Sequence, residues 1–359
     1  MDTKTAAKKA WELASVESIP FGKSEFSTYS PVYIATTSNV RNTLHLYHDY
    51  EQVLSVCGTG AHAYEALLHG AKHVDLFDIN ELQRIYFLYM KTAIMVLSYD
   101  EFIQYFTTGE GVNEFDFEPL DENLLANDLF YKLDPYLPNE VREVFGPIFE
   151  QISSENVLFS KLFRYNHNFS LSYLREAASF YRREEYERLQ QILRKNPDVI
   201  TTRTMSLTEV PLQFHSQYDL VLLDNILEYY GAIPNLNTPR KVDSFVKHDM
   251  SSLLSNGGSM QVAYAYAFDT ETFCDAFDLP IVNDSELDDV FNPVSDAFFA
   301  ALTTSFLEMD LESATRVLAD ENLMIPLVRD MDGYQYSIFD GINERDGKNM
   351  VLTYTKRKS

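Results

Sequence analysis

The run Val53-Leu54-Ser55-Val56-Cys57-Gly58-Thr59-Gly60 constrains this chain more than any other feature, together with Asp78, eighteen residues beyond Gly60 at the end of His73-Val74-Asp75-Leu76-Phe77-Asp78. A short apolar run ends in a glycine turn, an amphipathic stretch from Ala61 to His69 follows, and a second apolar run ends in a carboxylate. That is the pattern of a strand, turn, helix and strand in which the acid accepts from both hydroxyls of a ribose. The turn holds only the Gly58-Thr59-Gly60 core and lacks the third glycine that sets a helix N-terminus against a pyrophosphate. A cofactor with a ribose and no pyrophosphate fits it better, which points to S-adenosylmethionine.

The rest of the chain predicts where this unit belongs. Residues 4 to 16 and 37 to 48 read as helices, joined by a connection from Pro20 to Pro31. After the second strand come a long apolar helix, Asn80 to Leu97, a shorter one, Tyr99 to Phe106, and an acidic loop, Gly109 to Asp121. Residues 122 to 195 read as wholly helical, in segments Leu124 to Leu133, Asn139 to Ile152, Val157 to Phe163 and Ser170 to Leu193. Strand patterns resume at Asp198 to Met205 and Tyr218 to Asn225. A helix from Arg240 to Leu254, capped by a Ser255-Asn256-Gly257-Gly258 turn, leads to a strand from Ser259 to Ala267. Tyr334 to Phe339 and Asn349 to Thr355 then alternate around a turn-rich loop as an antiparallel hairpin.

The expected fold class is therefore α/β, a Rossmann-like doubly wound sheet with a C-terminal antiparallel hairpin, methyltransferase-like, carrying a large helical insertion. Residues 1–106 would hold the N-terminal helices and the first half of the Rossmann-like domain, and 107–196 the helical insertion as a substrate lid. Residues 197–359 would hold the second half, with an acidic helical insertion at about 268–332.

Charge narrows the partners. Fifty-four acids against 29 bases give a net charge of −25, which repels phosphate backbones and argues against nucleic acid. The basic stretch Lys161 to Lys195 also carries Glu176, Glu184, Glu185 and Glu187 at helical spacings, the pattern of a solvated face with internal ion pairs. Two cysteines far apart form no metal or redox motif, and no apolar run is long enough for a signal peptide or a membrane span, so a reduced, cytoplasmic protein is expected. His45 and His48, and His62 and His69, lack a third ligand at metal-site spacing. Asp330-Met331-Asp332-Gly333 opens like a calcium loop, but Gly341 and Ile342 stand where its closing glutamate belongs, so it reads as a turn and no metal is expected.

For the cofactor, the candidate residues are Cys57, Gly58, Thr59 and Gly60 in the turn, Asp78 with Ile79, Ser206 after the third strand, and Asp224. Asp78 also suits a helix N-cap role, and the two are compatible. Asp224-Asn225-Ile226-Leu227-Glu228-Tyr229-Tyr230 follows the fourth strand, where Asp224 or Glu228 suits a base, Asn225 an orienting amide and Tyr229 and Tyr230 ring faces for a cation. Capping and core packing are the structural alternatives for these residues.

With these residues the chain resembles the class I S-adenosylmethionine-dependent methyltransferase-like superfamily over roughly residues 40–106 and 197–267 and the terminal hairpin. It departs where Val56 replaces the first glycine and where Leu54 or Ser55 stands in place of an acid. A narrower resemblance lies in Asp78-Ile79-Asn80-Glu81-Leu82-Gln83 and Leu97-Ser98-Tyr99-Asp100-Glu101-Phe102. These are similar to the Asp-x-Asn-x-x-Gln and Leu-x-Tyr-x-x-Phe pattern of the family that includes the diacylglycerol aminocarboxypropyl transferase of betaine-lipid synthesis. That resemblance implies a lysine in the following helix, found as Lys91 one place off register. The first reading implies methyl transfer from S-adenosylmethionine to a small-molecule acceptor. The second implies 3-amino-3-carboxypropyl transfer to a lipid or small molecule, and the two departures leave room for a binding module without turnover.

Overall fold

Valine, leucine and phenylalanine occupy both faces of the strand β3, His73–Asp78, in which every residue after His73 is buried. Burial on both faces is what a parallel strand covered by helices requires. The computed structural model describes residues 2–16, 27–36, 40–41, 50–106, 126–151, 161–164, 171–215, 217–224, 226, 241, 244–264, 329–331, 334–343 and 347–356.

These residues fall into two units, 1–49 with 55–206 and 50–54 with 207–359. The strand β2, Gln52–Val56, is divided between them. In the first unit the strand order is β5 (Ile200–Thr204), β3, β2, and β3 pairs with β5 in parallel from Val74↔Ile200 to Asp78↔Thr204. Between β3 and β5 the described residues include the helices Glu81–Val96, Tyr99–Phe106, Ala126–Leu133, Asn139–Gln151, Leu171–Ala177 and Arg183–Lys195. Tyr89 lies among the rings of Phe106, Phe130, Phe145 and Phe149 at centroid distances of 5.6–6.3 Å, and its hydroxyl bonds that of Tyr105. The last carbonyls of Glu81–Val96 and its cap residue are satisfied from Arg183–Lys195: Tyr186 donates to Leu97 and Gln190 to Ile94 and Leu97.

In the second unit the order is β2, β6 (Tyr218–Leu222), β7 (Leu254–Tyr264), β10 (Gly347–Lys356), β9 (Tyr334–Asn343) and β8 (Arg329–Met331). The strands β6 and β7 are parallel, while β10 runs antiparallel to both β7 and β9. Asp219 of β6 accepts from the backbone of Glu51 and Gln52 at 3.0 Å and from Ser255 at 3.0 Å. Burial alone would raise its pKa, but these donors hold the carboxyl below its usual range.

The Rossmann-like sheet, the closing antiparallel hairpin and the helices between β3 and β5 are as expected. Several local expectations are corrected. Ser170 to Leu193 is two helices, broken at Ala178–Arg182, because buried Glu65 takes the Ser179 N–H at 2.9 Å and its hydroxyl at 2.6 Å. Phe163–Arg164, expected within a helix, forms a short parallel strand, β4, with β1, Val32–Tyr33.

The helix expected to Leu254 ends at Leu253 as a π turn, Phe245–Asp249, and a 3₁₀ turn, Met250–Leu253. Residues 255–258 are an irregularity inside β7 instead of a turn before it, since the pairing steps from Tyr218↔Leu254 to Leu220↔Ser259. A Cβ on Gly258 would meet the Tyr218 carbonyl oxygen at 2.6 Å, so glycine is required by backbone approach. Asp330 and Met331 end β8, and Met331 pairs with Tyr334 of β9, while Asp332 and Gly333 of the expected turn lie outside the described residues. Most of the helix expected at 37–48, the loop at 109–121 and the acidic helical insertion expected at about 268–332 lie outside the described residues, except that Arg329–Met331 of that insertion form the strand β8 and not a helix. Among the described residues no helix is long and apolar enough to cross a membrane.

Candidate functional site

The glycine turn is built by two different demands on its glycines. Gly58 (φ +43°) and Gly60 (φ +83°) both adopt left-handed backbone, and Gly60 N–H closes the turn on the Cys57 carbonyl at 2.7 Å. A Cβ on Gly60 would stand 2.5 Å from Cδ2 of Phe87 and 3.2 Å from Cε2 of Tyr64, whereas a Cβ on Gly58 would meet nothing within 4 Å among the described residues. Gly60 is therefore set by packing beneath the turn, and Gly58 faces open space. Thr59 is buried and its hydroxyl oxygen accepts from Ala61 N–H at 3.4 Å, at the start of the helix Ala61–Leu68.

The end of β3 is tied to this turn. The Cys57 N–H donates to the Phe77 carbonyl at 2.7 Å, and one carboxylate oxygen of Asp78 accepts from Gly58 N–H at 3.2 Å. The other oxygen accepts from Asn80 N–H at 2.9 Å. Burial pushes the Asp78 carboxyl up to about 6, partly opposed by these backbone donors. The Ile79 N–H is a further backbone donor to this carboxylate, which with two acceptor oxygens still retains acceptor capacity. The Asp78 carbonyl accepts from Met205 N–H at 2.8 Å, which brings the end of β5, followed by half-buried Ser206, to the end of β3.

The turn stands at the carboxyl end of β2. Ligands of open α/β sheets bind outside the carboxyl ends of the strands. The chain has a methyltransferase-like Rossmann fold. Within it, Cys57, Gly58, Thr59, Gly60, Asp78 and Ile79 come together in the first unit, with Ser206 at the end of that unit's strand row. The Cys57 thiol is buried and burial, with Asp78 beside it, raises its pKa well above the usual thiol range, so it is no nucleophile. Asp224 belongs to the second unit and follows β6 with φ +46°, a left-handed conformation that aspartate adopts more readily than most residues but that still carries strain. Asn225 and Tyr229 lie outside the described residues.

Two side chains quoted only for a family resemblance prove to be structural keystones here. Asn80 caps the helix Glu81–Val96 by accepting from Leu82 N–H at 3.1 Å, and Gln83 is 1% exposed. Both bond a segment 50 residues earlier in the chain, and no local pattern announces that. Glu81 accepts from Arg84 at 2.8 and 3.0 Å and from the hydroxyl of Thr204 at the end of β5. Burial would raise its pKa, but the bonds from Arg84 and Thr204 bring it below the usual range. Lys91 donates to the Pro197 carbonyl at 2.5 Å, two turns along the same helix. Among the described residues no three His, Cys, Asp or Glu side chains converge as a metal site.

No protein-family model and no curated protein matches the chain. Among solved structures, the N-methyltransferase NodS from Bradyrhizobium japonicum WM9 aligns with 89% of this chain and 92% of its own, at 9% identity and a TM-score of 0.30. The same enzyme in complex with S-adenosyl-L-homocysteine aligns with 89% of this chain and 83% of its own, at 8% identity and a TM-score of 0.30. A spermidine synthase in complex with the transition-state analogue AdoDATO aligns with 91% of this chain and 58% of its own, at 8% identity and a TM-score of 0.31. Likenesses this weak add nothing to the strand order and the turn.

Proposed function

We propose that this protein is an S-adenosylmethionine-dependent transferase, and that it transfers the methyl group to a small-molecule acceptor. One observation carries the reading: a buried carboxylate, Asp78, bonded at 3.2 Å to the N–H of a left-handed glycine that ends the neighbouring strand. Acceptor capacity remains on the carboxylate for a ribose hydroxyl, and Gly58 leaves room for close approach of the nucleoside. Ser206 would flank the adenine edge, and the backbone of Cys57 to Gly60 would line the ribose and the amino-acid tail. The cofactor supplies an activated carbon next to a sulfonium.

Asp224, held strained after β6, is the candidate base that would take the proton of an acceptor aligned with that activated carbon. Asn225 and Tyr229 would orient the acceptor. Asp224→Asn is expected to lower kcat about tenfold or more, a larger loss than its effect on cofactor affinity. Equal losses in both would make Asp224 a cofactor-positioning or structural residue instead.

A second reading, 3-amino-3-carboxypropyl transfer, is favoured by Asp78, Asn80 and Gln83, which act together at the start of one helix. The two readings separate by product. Calorimetric titration with S-adenosylmethionine, S-adenosylhomocysteine and methylthioadenosine is expected to give micromolar binding, with S-adenosylhomocysteine preferred over methylthioadenosine. Preference for methylthioadenosine would move the reaction to the aminocarboxypropyl group, and no binding to any of the three would remove the cofactor reading.

A further inference from the structure

The side chains of Asn80 and Gln83 are almost entirely occupied with the backbone of one distant segment, Ser27 to Thr36. The Asn80 amide nitrogen donates to the carbonyls of Ser30 at 2.9 Å and Pro31 at 3.2 Å, while its oxygen accepts from Ser30 N–H at 3.2 Å. Gln83 brackets Tyr33 in the same way, its oxygen accepting from the Tyr33 N–H at 2.6 Å and its nitrogen donating to the Tyr33 carbonyl at 3.0 Å. The Glu81 N–H, between them, donates to the Thr28 carbonyl at 2.8 Å. The segment's free edge is used as well, since Val32 N–H donates to the Leu162 carbonyl at 2.8 Å where β1 meets β4. A two-residue strand has almost no stability of its own, so the two carboxamides contribute to holding this strap in place, together with the Glu81 N–H and the Leu162 carbonyl.

The strap is fixed immediately beside Asp78. The Asn80 backbone N–H bonds the Asp78 carboxylate while the Asn80 side chain grips Ser30, so a single residue joins the two. Hydrogen bonds to a carboxylate strengthen when water is kept from them. We propose that Asn80 and Gln83 are positioning residues for the nucleoside, clamping the Ser27–Thr36 strap against the ribose-binding end of β3 so that the hydroxyls meet Asp78 in a dry site. The proposal rests on the cofactor reading above. It predicts that ligand and strap are coupled: the nucleoside steadies the strap, and loosening the strap weakens the nucleoside.

The test separates the clamp from ordinary stability. Serine caps helices about as well as asparagine, so Asn80→Ser keeps an acceptor for the Leu82 N–H while removing both donors to the strap. Gln83→Met removes both bonds to Tyr33 at similar volume. Each is expected to raise the dissociation constant for S-adenosylmethionine about tenfold, a change of about 1.4 kcal/mol, with kcat at saturation unchanged. In the unaltered protein, saturating S-adenosylhomocysteine should slow amide exchange of the 27–36 segment.

An unchanged dissociation constant in Asn80→Ser, whether or not the melting temperature falls, would overturn the clamp and leave a structural tie. Exchange in the strap that is indifferent to ligand would overturn it even if Gln83→Met failed to fold. Failure of the unaltered protein to bind would sink the cofactor reading itself, a result distinct from binding that ignores the strap.

Discussion

Asp78→Ala is expected to weaken S-adenosylmethionine binding by about 1.5–3 kcal/mol, roughly 10- to 150-fold, the range for hydrogen bonds to a charged group. The pH dependence sharpens the test because ligand and fold respond in opposite directions. The carboxyl is raised from 3.8 to about 6 by burial, so between those values the folded protein holds a proton that the unfolded chain has lost. Asp78's contribution to stability without ligand therefore grows as pH falls from about 6 toward 3.8, and is absent well above 6. A ribose needs the ionised acceptor, so affinity should fall as pH drops through about 6. Calorimetry from pH 8 to 5 on the parent and on Asp78→Ala tests this: the slope should be present in the first and missing in the second. An affinity that Asp78→Ala leaves unchanged would put the ribose elsewhere.

Gly60→Ala is expected to destabilise the fold by about 3 kcal/mol or more, because overpacking and backbone strain act together. The added carbon would meet Phe87 ring atoms at 2.5 and 2.6 Å, on a backbone at φ +83°. Gly58→Ala meets no such wall and should cost only about 1–2 kcal/mol for its left-handed backbone. The same methyl group would occupy the open space above the turn, so cofactor affinity should drop while the fold survives. Denaturant unfolding paired with titration distinguishes the two. If both variants lost stability equally, the division of the turn into a packed glycine and an open one would be wrong.

The turn and Asp78 were legible from the sequence because their geometry is local: an apolar run, two glycines and an acid at fixed spacing write it directly into the chain. The strap was not, since its bonds join residues 50 apart and two of its residues form a strand too short to show alternation. Gly257-Gly258 reads as a turn by composition, but the reason for Gly258 is the carbonyl of Tyr218 on a neighbouring strand. Ser179 ends a helix whose periodicity continues through it, because Glu65, 114 residues away, offers its backbone a better acceptor. In each case a long-range contact overruled a sound local pattern.

The division of β2 bears on how the chain is made. The backbone of Glu51 and Gln52 waits for Asp219, which follows 168 and 167 residues later. At ordinary elongation rates of about 5–20 residues per second, a nascent chain exposes that strand for many seconds before its partner leaves the ribosome. The second unit has no independent start, because a fragment beginning at Leu207 would lack the five residues, Tyr50–Leu54, that the unit takes from the front of the chain. The order of synthesis thus makes completion of the second unit a late event, and truncation from the front past Asp49 removes part of both units.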